Sequence, residues 1–394
     1  MLIGLVGKPS CGKSTFFKAA TLANVLIASY PFATIKPNSG IGYVRVDCLC
    51  KDFKVKCNPQ KGYCVDGQRF VPVQLMDVAG LVEGASEGKG MGNQFLDELR
   101  QADAFIHIVD ASGETDAKGE VTTGYNPVKD VLMLDNELDL WYTGILKKVW
   151  RGFARTIEVS KEDFAKAVVK QFSGLRVTEN NVKDVVREGN FDSAKASKWE
   201  DEELKRFASA LRRKTKPMII AANKVDLPSG KENYEKLLKE FSDYVIVPCS
   251  ADSELALREA DKAGLIKYIP GEKNFEVVGD LNEKQKQALD KIKKNILEVY
   301  GSTGVQEVLN KVVFELLKYI AVFPAGATKL GDSKGNILPD CFLVPDGSTA
   351  LDFAYIIHSD LGDKFIKAIN AKTKQAVGKD YKVKHRDGLE VVTR

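Results

Sequence analysis

The sequence lacks several features that would point to a membrane, secreted or disordered protein. It contains no apolar run of the roughly 18 to 20 residues needed to span a bilayer, and no low-complexity tract. Its first residues, MLIGLVGKPS, run directly into a glycine-rich motif instead of a cleavable signal. Its three histidines, His107, His358 and His385, show no metal-binding or catalytic spacing. We therefore expect a folded cytoplasmic protein, a monomer without membrane contacts.

The length and charge limit the architecture but do not identify a partner. A chain of 394 residues exceeds what one hydrophobic core usually holds, so two or three domains are expected. The net charge of +4 is too small to indicate a nucleic-acid partner by itself, because charge acts through its concentration on one face.

Short apolar runs alternate with helical or polar stretches through much of the chain. This alternation predicts an α/β fold with a doubly wound, mostly parallel sheet. The predicted strands are Leu2–Val6, Val71–Met76, Phe105–Val109, Met218–Ala222 and Tyr244–Val247.

The long interval between Asp110 and Met218 far exceeds the dozen or so residues that a crossover helix needs. Residues 128–213 have helical spacing and few turn signals, which predicts a helical insertion, either a hairpin or a small subdomain. Residues 1–127 and 214–316 are predicted to form the α/β domain. Residues 317–394 have shorter elements and predict a small α+β domain, with a final strand pair framing Tyr381 to Val392.

The first strand leads into a phosphate-binding motif. Gly7, Lys8, Pro9, Ser10, Cys11, Gly12, Lys13 and Ser14 fit G-x-x-x-x-G-K-[ST]. In this motif the backbone N–H groups and the helix N-terminus face the β-phosphate, and Lys13 reaches the β- and γ-phosphates. Ser14 is the candidate Mg²⁺ ligand, and Thr15 continues the loop into the helix.

A D-x-x-G motif follows the strand predicted at Val71–Met76. Asp77 at the strand end can hold Mg²⁺ through water, and the N–H of Gly80 can donate to the γ-phosphate. Alone this motif is common, but its place after a phosphate loop and at a strand end gives it weight.

The sequence Asn223-Lys224-Val225-Asp226 ends the strand predicted at Met218–Ala222 and indicates a guanine site. The Asp226 carboxylate can accept hydrogen bonds from guanine N1–H and the 2-amino group, whereas adenine offers neither donor there. Ser250 and Ala251 fit the loop that supports the base through a backbone N–H.

Four of the seven cysteines lie close together in the sequence. Cys48, Cys50, Cys57 and Cys64 have C-x-C-x6-C-x6-C spacing. Four thiolates could bind Zn²⁺ and staple a loop that has no core of its own. Reduced thiols or, in a hyperthermophile, disulfides are the alternatives.

These motifs together resemble the Obg-like GTPases of the YchF type, in their archaeal form. The resemblance is carried by GLVGKPSCGKST, SYPFATIKPNSG, DVAGLVEGASEGKGMGNQFLDELR and NKVD. The C-terminal LPDCFLVPDGSTALDFAYIIHSDLGDKFIKAI resembles a TGS domain, a ubiquitin-like module associated with RNA. The match covers nearly the whole chain.

The resemblance implies roles for three further positions. Thr34 would ligate Mg²⁺ in the triphosphate state and release it after hydrolysis. Leu81 stands where many GTPases have a water-orienting glutamine, so unaided hydrolysis should be slow or should use another group, such as one in Glu83–Gly92. Ser10 replaces the asparagine that recruits potassium in some related GTPases.

The expected function is Mg²⁺-dependent hydrolysis of GTP to GDP and phosphate, used as a switch on a ribosome or another RNA partner. Lys364 to Arg386 contains eight Lys or Arg residues against one acid, which favours RNA contact within the TGS-like region. Phe365 or Tyr381 could add a stacking face. Two alternatives are a YchF-like ATPase and a nucleotide sensor without meaningful turnover. The intact NKVD favours GTP.

Overall fold

The computed structural model describes residues 1–22, 39–78, 100–328, 330–332 and 334–394. The chain divides into two compact units. The first unit comprises Met1–Phe17, Leu75–Glu254 and Asp290–Gly304, and the second comprises Lys18–Gln74, Leu255–Leu289 and Val305–Arg394. The domain boundaries expected from the sequence remain predictions.

The described residues form strands in both units. In chain order they are β1 Leu2–Val6, β2 Ser39–Asp47, β3 Tyr63–Val65, β4 Gln68–Asp77, β5 Ala104–Asp110, β6 Met218–Asn223, β7 Ile246–Cys249, β8 Ile266–Lys267, β9 Glu276–Val277, β10 Tyr319–Pro324, β11 Phe342–Pro345, β12 Phe365–Asn370, β13 Ala376–Val377 and β14 Asp387–Thr393.

The α-helices are numbered in the same way. They are α1 Lys13–Thr21, α2 Leu49–Phe53, α3 Val128–Lys147, α4 Trp150–Ser160, α5 Phe164–Gln171, α6 Glu179–Glu188, α7 Asp201–Thr215, α8 Gly230–Glu240, α9 Ala251–Lys262, α10 Glu283–Ile292, α11 Glu298–Tyr300, α12 Val305–Lys311, α13 Ala350–Ile357 and α14 Ser359–Asp363. Short 3₁₀ segments lie at Ser173–Leu175 and Ser193–Lys198, and π-helical turns at Lys293–Leu297 and Val312–Leu316.

The sheet of the first unit has the strand order β4-β1-β5-β6-β7, with Leu75–Asp77 as this unit's part of β4. β1 pairs in parallel with β5, β5 with β6, and β6 with β7. Every residue of β5 and β6 is buried, as expected for central parallel strands covered on both faces. The predicted α/β sheet is confirmed, and the carboxyl ends of its parallel strands meet at one edge.

Helices α3 to α7 form the insertion predicted from the helical spacing. Their apolar side chains share one core with sheet residues such as Val6 and Phe105. At its centre the Trp150 ring stacks on Trp199 at 5.3 Å between centroids, and its Nε1–H donates to the Ala196 carbonyl at 3.1 Å. The tryptophans and tyrosine of α3 and α4 are therefore packing residues, and the insertion is a bundle of several helices around an aromatic core.

The second unit contains a β-hairpin beside β2 and a separate C-terminal sheet. β3 and β4 pair in antiparallel fashion across Asp66 and Gly67, which both have positive φ, as a type I′ turn requires. The C-terminal sheet has the order β11-β10-β14-β12-β13. Helix α13 packs against it through Phe353, and Thr349 and Asp352 cap the helix reciprocally.

One detail of the C-terminal prediction is corrected. The sequence suggested a strand pair framing Tyr381 to Val392, but only Asp387–Thr393 is a strand there, and its antiparallel partner is Phe365–Asn370. Residues before Asp387 form a turn because the Asp387 carboxylate accepts from the Lys384 N–H and the Tyr381 hydroxyl. Among the described helices, none is long and apolar enough to cross a bilayer.

Candidate functional site

The loop between β1 and α1 borders a cavity of about 570 Å³ at the carboxyl edge of the sheet. Most residues of the predicted phosphate loop line this cavity, together with one lysine that follows β6. The lining residues are Lys8, Pro9, Ser10, Gly12, Lys13, Ser14, Thr15 and Lys224. The structure thus brings the first and third motifs of the sequence to one place.

Gly12 has both a conformational and a spatial reason to be glycine. Its φ of +94° lies in the region that side chains rarely adopt, and a Cβ there would lie 2.2 Å from Asn223 Nδ2. Ser10 also has positive φ, at 61°. The neighbouring Cys11 side chain is buried, and burial raises the pKa of its thiol to about 11, which makes it an inert packing group.

Lys13 and Ser14 at the start of α1 face the carboxylate that ends β4. Lys13 Nζ forms an ion pair with Asp77 Oδ1. Ser14 Oγ lies 3.4 Å from Asp77 Oδ2. The phosphate-loop lysine, the hydroxyl and the D-x-x-G carboxylate therefore lie together, and the two oxygens are of the kind that Mg²⁺ prefers.

Asn223 connects the phosphate loop to the loop after β7. Its Nδ2 donates to the Cys11 carbonyl at 2.9 Å, and its Oδ1 accepts from the Ala251 N–H at 3.0 Å. The side chain is buried, so both bonds form away from water and hold the two loops in a fixed relation. The first residue of NKVD thus positions the site without needing to contact a ligand.

Lys224 lies across the phosphate loop and is held by a buried carboxylate. Its Nζ donates to the Ser10 carbonyl at 2.9 Å and to Asp110 Oδ2 at 2.7 Å. Burial acts to raise the pKa of Asp110, but Lys224 and the hydroxyls of Ser112 and Thr115 outweigh it and lower the pKa below its usual value. Asp110 therefore stays ionised and holds Lys224 in place, a role that its sequence context does not indicate.

Asp226 follows β6 and remains partly exposed. In the described ranges of the chain, no protein group donates a hydrogen bond to its carboxylate. The backbone N–H groups of Ser250 and Ala251 already have acceptors. The Ser250 N–H donates to the Thr303 carbonyl at 2.9 Å, and the Ala251 N–H donates to Asn223 Oδ1 at 3.0 Å. A ligand that uses the Ala251 N–H would have to share it with Asn223.

The side chain of Lys8, unlike the rest of the phosphate loop, belongs to a buried polar cluster. Its Nζ lies 2.9 Å from Asp130 Oδ2, donates to the Thr115 carbonyl at 2.7 Å and sits 4.1 Å from the centroid of the Tyr125 ring. Both ionic side chains are nearly inaccessible, at 1% and 2% exposure. Lys8 can therefore serve a ligand only through its backbone. The pattern could not reveal this pair, because Asp130 lies in the distant insertion.

Several predicted site residues fall outside the described ranges. They are Thr34, Gly80, Leu81 and the glycine-rich segment Glu83–Gly92. Their assigned roles remain predictions.

The basic stretch Lys364 to Arg386 is less free than its composition suggests. Lys372 and Arg386 pair with Asp52 at 2.6 and 2.9 Å, and Lys382 donates to the Gly347 carbonyl at 2.6 Å. Lys374 bonds to the Ala327 carbonyl. Four ammonium groups remain exposed and without a bonding partner in the described part of the chain: Lys364, Lys367, Lys379 and Lys384.

The two residues suggested for base stacking are only partly accessible. Phe365 and Tyr381 are half-buried and pack against the core of the C-terminal sheet, and the Tyr381 hydroxyl donates to Asp387 at 3.0 Å.

Three family models match the chain, in the order that the motifs predict. Residues 2–137 match a 50S ribosome-binding GTPase, residues 221–326 match the G4 motif-containing domain of Obg-like GTPase YGR210-like, and residues 322–393 match the TGS domain. The second match contains NKVD, and the third begins within β10 and contains the other four strands of the C-terminal sheet.

Similar proteins are known over the full length of the chain. A GTP-binding protein of Methanocaldococcus jannaschii is 51% identical, covering 100% of this chain and 99% of its own. The ribosome-binding ATPase YchF of Bacillus subtilis is 30% identical, covering 93% and 87%. The crystal structure of a GTP-binding protein from Pyrococcus horikoshii is 41% identical and superposes with a TM-score of 0.80 over 100% of both chains.

Proposed function

Because the chain belongs to the Obg-like GTPase family of the YchF type, we propose that it binds GTP with Mg²⁺ and hydrolyses it slowly to GDP and phosphate. The family relation supports a P-loop nucleotide hydrolase in general. The preference for guanine, the use of Mg²⁺ and the slow rate of hydrolysis are proposed from this chain's own residues.

The observation that carries the choice of guanine is the open carboxylate of Asp226. Asn223 and Lys224, just before it, both donate hydrogen bonds to carbonyls of the phosphate loop, which ties the start of this motif to that loop. A carboxylate without protein donors can accept from the two N–H donors on the edge of guanine. Adenine would leave it unpaired, at a cost of about 1 to 3 kcal/mol or more.

The phosphates fit the loop at Gly7–Ser14. Backbone N–H groups and the N-terminus of α1 offer partial positive charge, and Lys13 adds a full charge. Lys13 is paired with Asp77, and we propose that it exchanges this carboxylate for phosphate oxygens when the nucleotide binds. Asp77 is then released toward the cation.

Ser14 and Asp77 would hold the Mg²⁺ ion, since their oxygens already face each other. Bound there, the cation would neutralise charge on the phosphate oxygens. Thr34 is proposed as a further ligand that reports the triphosphate state, and the N–H of Gly80 as a donor to the γ-phosphate. Leu81 cannot orient a water molecule, so we expect slow turnover without a partner.

A ribosome or another RNA is the proposed partner. Support comes from the TGS match, from the family model named for 50S binding, and from the relative named as ribosome-binding. On this chain the contact would use the four free lysines of the C-terminal domain, because the other cations of that stretch already have partners. Four phosphate contacts would supply affinity that falls with salt and does not read sequence.

ATP is the second candidate substrate, because the Bacillus relative is named an ATPase. A nucleotide sensor with negligible turnover is the third. Phosphate release from GTP and from ATP, each measured with and without ribosomes, separates the three. We expect ribosomes to stimulate GTP hydrolysis, and Lys13→Met to abolish it. Undetectable turnover under all conditions would favour the sensor.

The RNA surface has a charge-matched test. The variant with Lys364, Lys367, Lys379 and Lys384 changed to Gln should lose ribosome affinity and show a shallower salt dependence. The control changes four other exposed lysines, Lys231, Lys239, Lys284 and Lys293, to Gln. Equal loss in both variants would contradict a specific C-terminal contact.

A further inference from the structure

Four cysteine side chains from successive elements of the second unit meet at one point. Cys48 directly precedes α2, Cys50 lies in α2, Cys57 lies in the following loop and Cys64 lies in β3. All four Sγ atoms lie within 4.8 Å of one another. The Sγ atoms of Cys48 and Cys57, and those of Cys50 and Cys64, are each 3.9 Å apart.

These separations suit a shared metal ion better than disulfides. A disulfide places its sulfurs about 2.05 Å apart, and all four cysteines are free. Zn–S bonds of about 2.3 Å in tetrahedral geometry place the sulfurs about 3.8 Å apart. The observed pairs at 3.9 Å are close to that value.

Arg69 supplies a second, independent observation. Its side chain is fully buried, its Nη2 donates to the Leu338 carbonyl at 2.6 Å, and Nη2 lies 3.8 Å from Cys48 Sγ. Its Nε and Nη1 have no partner, and no carboxylate pairs with it, among the residues that the structure describes. An uncompensated buried cation is costly. Four thiolates around a divalent cation carry a net charge of −2, which would compensate Arg69.

We propose that Cys48, Cys50, Cys57 and Cys64 bind one Zn²⁺ ion as a structural site. Each thiol would lose its proton to solvent as its sulfur replaces a water molecule of the hydrated ion. Four protein ligands leave no open position for a substrate, so the metal stabilises the fold and takes no part in hydrolysis.

The metal would fix a segment that makes contacts with the C-terminal part of the same unit. Between the second and fourth cysteine, the Asn58 N–H donates to the Ile337 carbonyl at 3.1 Å and the Gln60 N–H to the Pro339 carbonyl at 2.8 Å. Asp52 in α2 pairs with Lys372 and Arg386. Loss of the metal should therefore loosen the C-terminal domain along with residues 48–64.

Metal analysis of the untagged full-length protein tests this site. We expect about one zinc per chain, at least tenfold less in Cys57→Ser/Cys64→Ser, and an unchanged content in Cys341→Ala. Cys341 is a matched control because it is a buried cysteine of the same unit outside the cluster. Equal zinc in all three proteins, or bound iron in place of zinc, would overturn the proposal.

A titration of the wild type covers the case in which the double variant does not fold. A mercurial thiol reagent added in steps should release zinc in proportion to the thiols that react, as read by a chromophoric chelator. Folded protein without zinc after growth in zinc-supplemented medium, or disulfides between these cysteines, would contradict the site. Nucleotide affinity measured on the same preparation reports separately on the proposed GTP site.

Discussion

The Lys8–Asp130 pair gives the sharpest stability prediction. Asp130→Asn removes the charge but keeps an oxygen that can accept from the Tyr125 hydroxyl, which donates to Asp130 Oδ1 at 2.9 Å. Lys8, at 1% exposure, is then left as a buried cation without a counterion. Breaking such a pair costs about 3 to 5 kcal/mol.

The assay is urea unfolding followed by tryptophan fluorescence at pH 7. The chain has three tryptophans, Trp141, Trp150 and Trp199, and all lie in the helical insertion that begins with the helix of Asp130. The control is Asp201→Asn, which breaks an exposed pair with Lys147, at 73% and 57% exposure. That change should cost less than about 1 kcal/mol.

The double variant Lys8→Met/Asp130→Asn should lose less stability than Asp130→Asn alone, because neither charge of the pair remains buried. A free energy of unfolding for Asp130→Asn within about 0.5 kcal/mol of the wild-type value would be a typical surface effect. In that case the ion pair does not hold the phosphate loop to the insertion.

Two further predictions concern the same unit. Gly12→Ala should weaken nucleotide binding at least tenfold, since a Cβ at 2.2 Å from Asn223 Nδ2 must displace the amide that orders the loops; calorimetry with GDP measures this, and unchanged affinity would refute the steric argument. Burial, and then the charge of Lys8, lower the pKa of His107 to about 3. The His107 side chain therefore stays neutral in the folded state, whereas in the unfolded chain it takes up a proton below about pH 6.5. The free energy of unfolding consequently falls as the pH drops, by about 2 kcal/mol between pH 6.5 and 5. His107→Gln should remove that part of the pH dependence of the unfolding midpoint, and an identical pH profile would count against it.

The local parts of the fold and site could be predicted because their signals lie in adjacent residues. The strand at Leu2–Val6, the glycine-containing loop and the helix at Lys13–Thr21 follow one another directly, and the strand at Met218–Asn223 ends at its motif. The Asp66–Gly67 turn has the same kind of local signal, an Asp-Gly pair between two short strands.

The remaining features depend on contacts between distant residues. The phosphate-loop motif allows any residue at its variable positions, which include Lys8. It therefore could not show that the Lys8 side chain pairs with Asp130. Asp110 is an ordinary strand end in the sequence, and only the parallel register with β6 brings it to Lys224. The strand at Phe365–Asn370 could not be predicted locally, because it forms by pairing with Asp387–Thr393 and its own sequence, FIKAIN, is too short to show a clear period.

The most direct test of the central claim is nucleotide competition on the folded protein with Mg²⁺, for the wild type and Asp226→Asn. We expect GTP to bind at least about fivefold more tightly than ATP, and the substitution to weaken GTP binding while leaving ATP binding nearly unchanged. Equal or tighter binding of ATP by the wild type would contradict the guanine assignment, and no affinity for any guanine nucleotide would contradict the whole account.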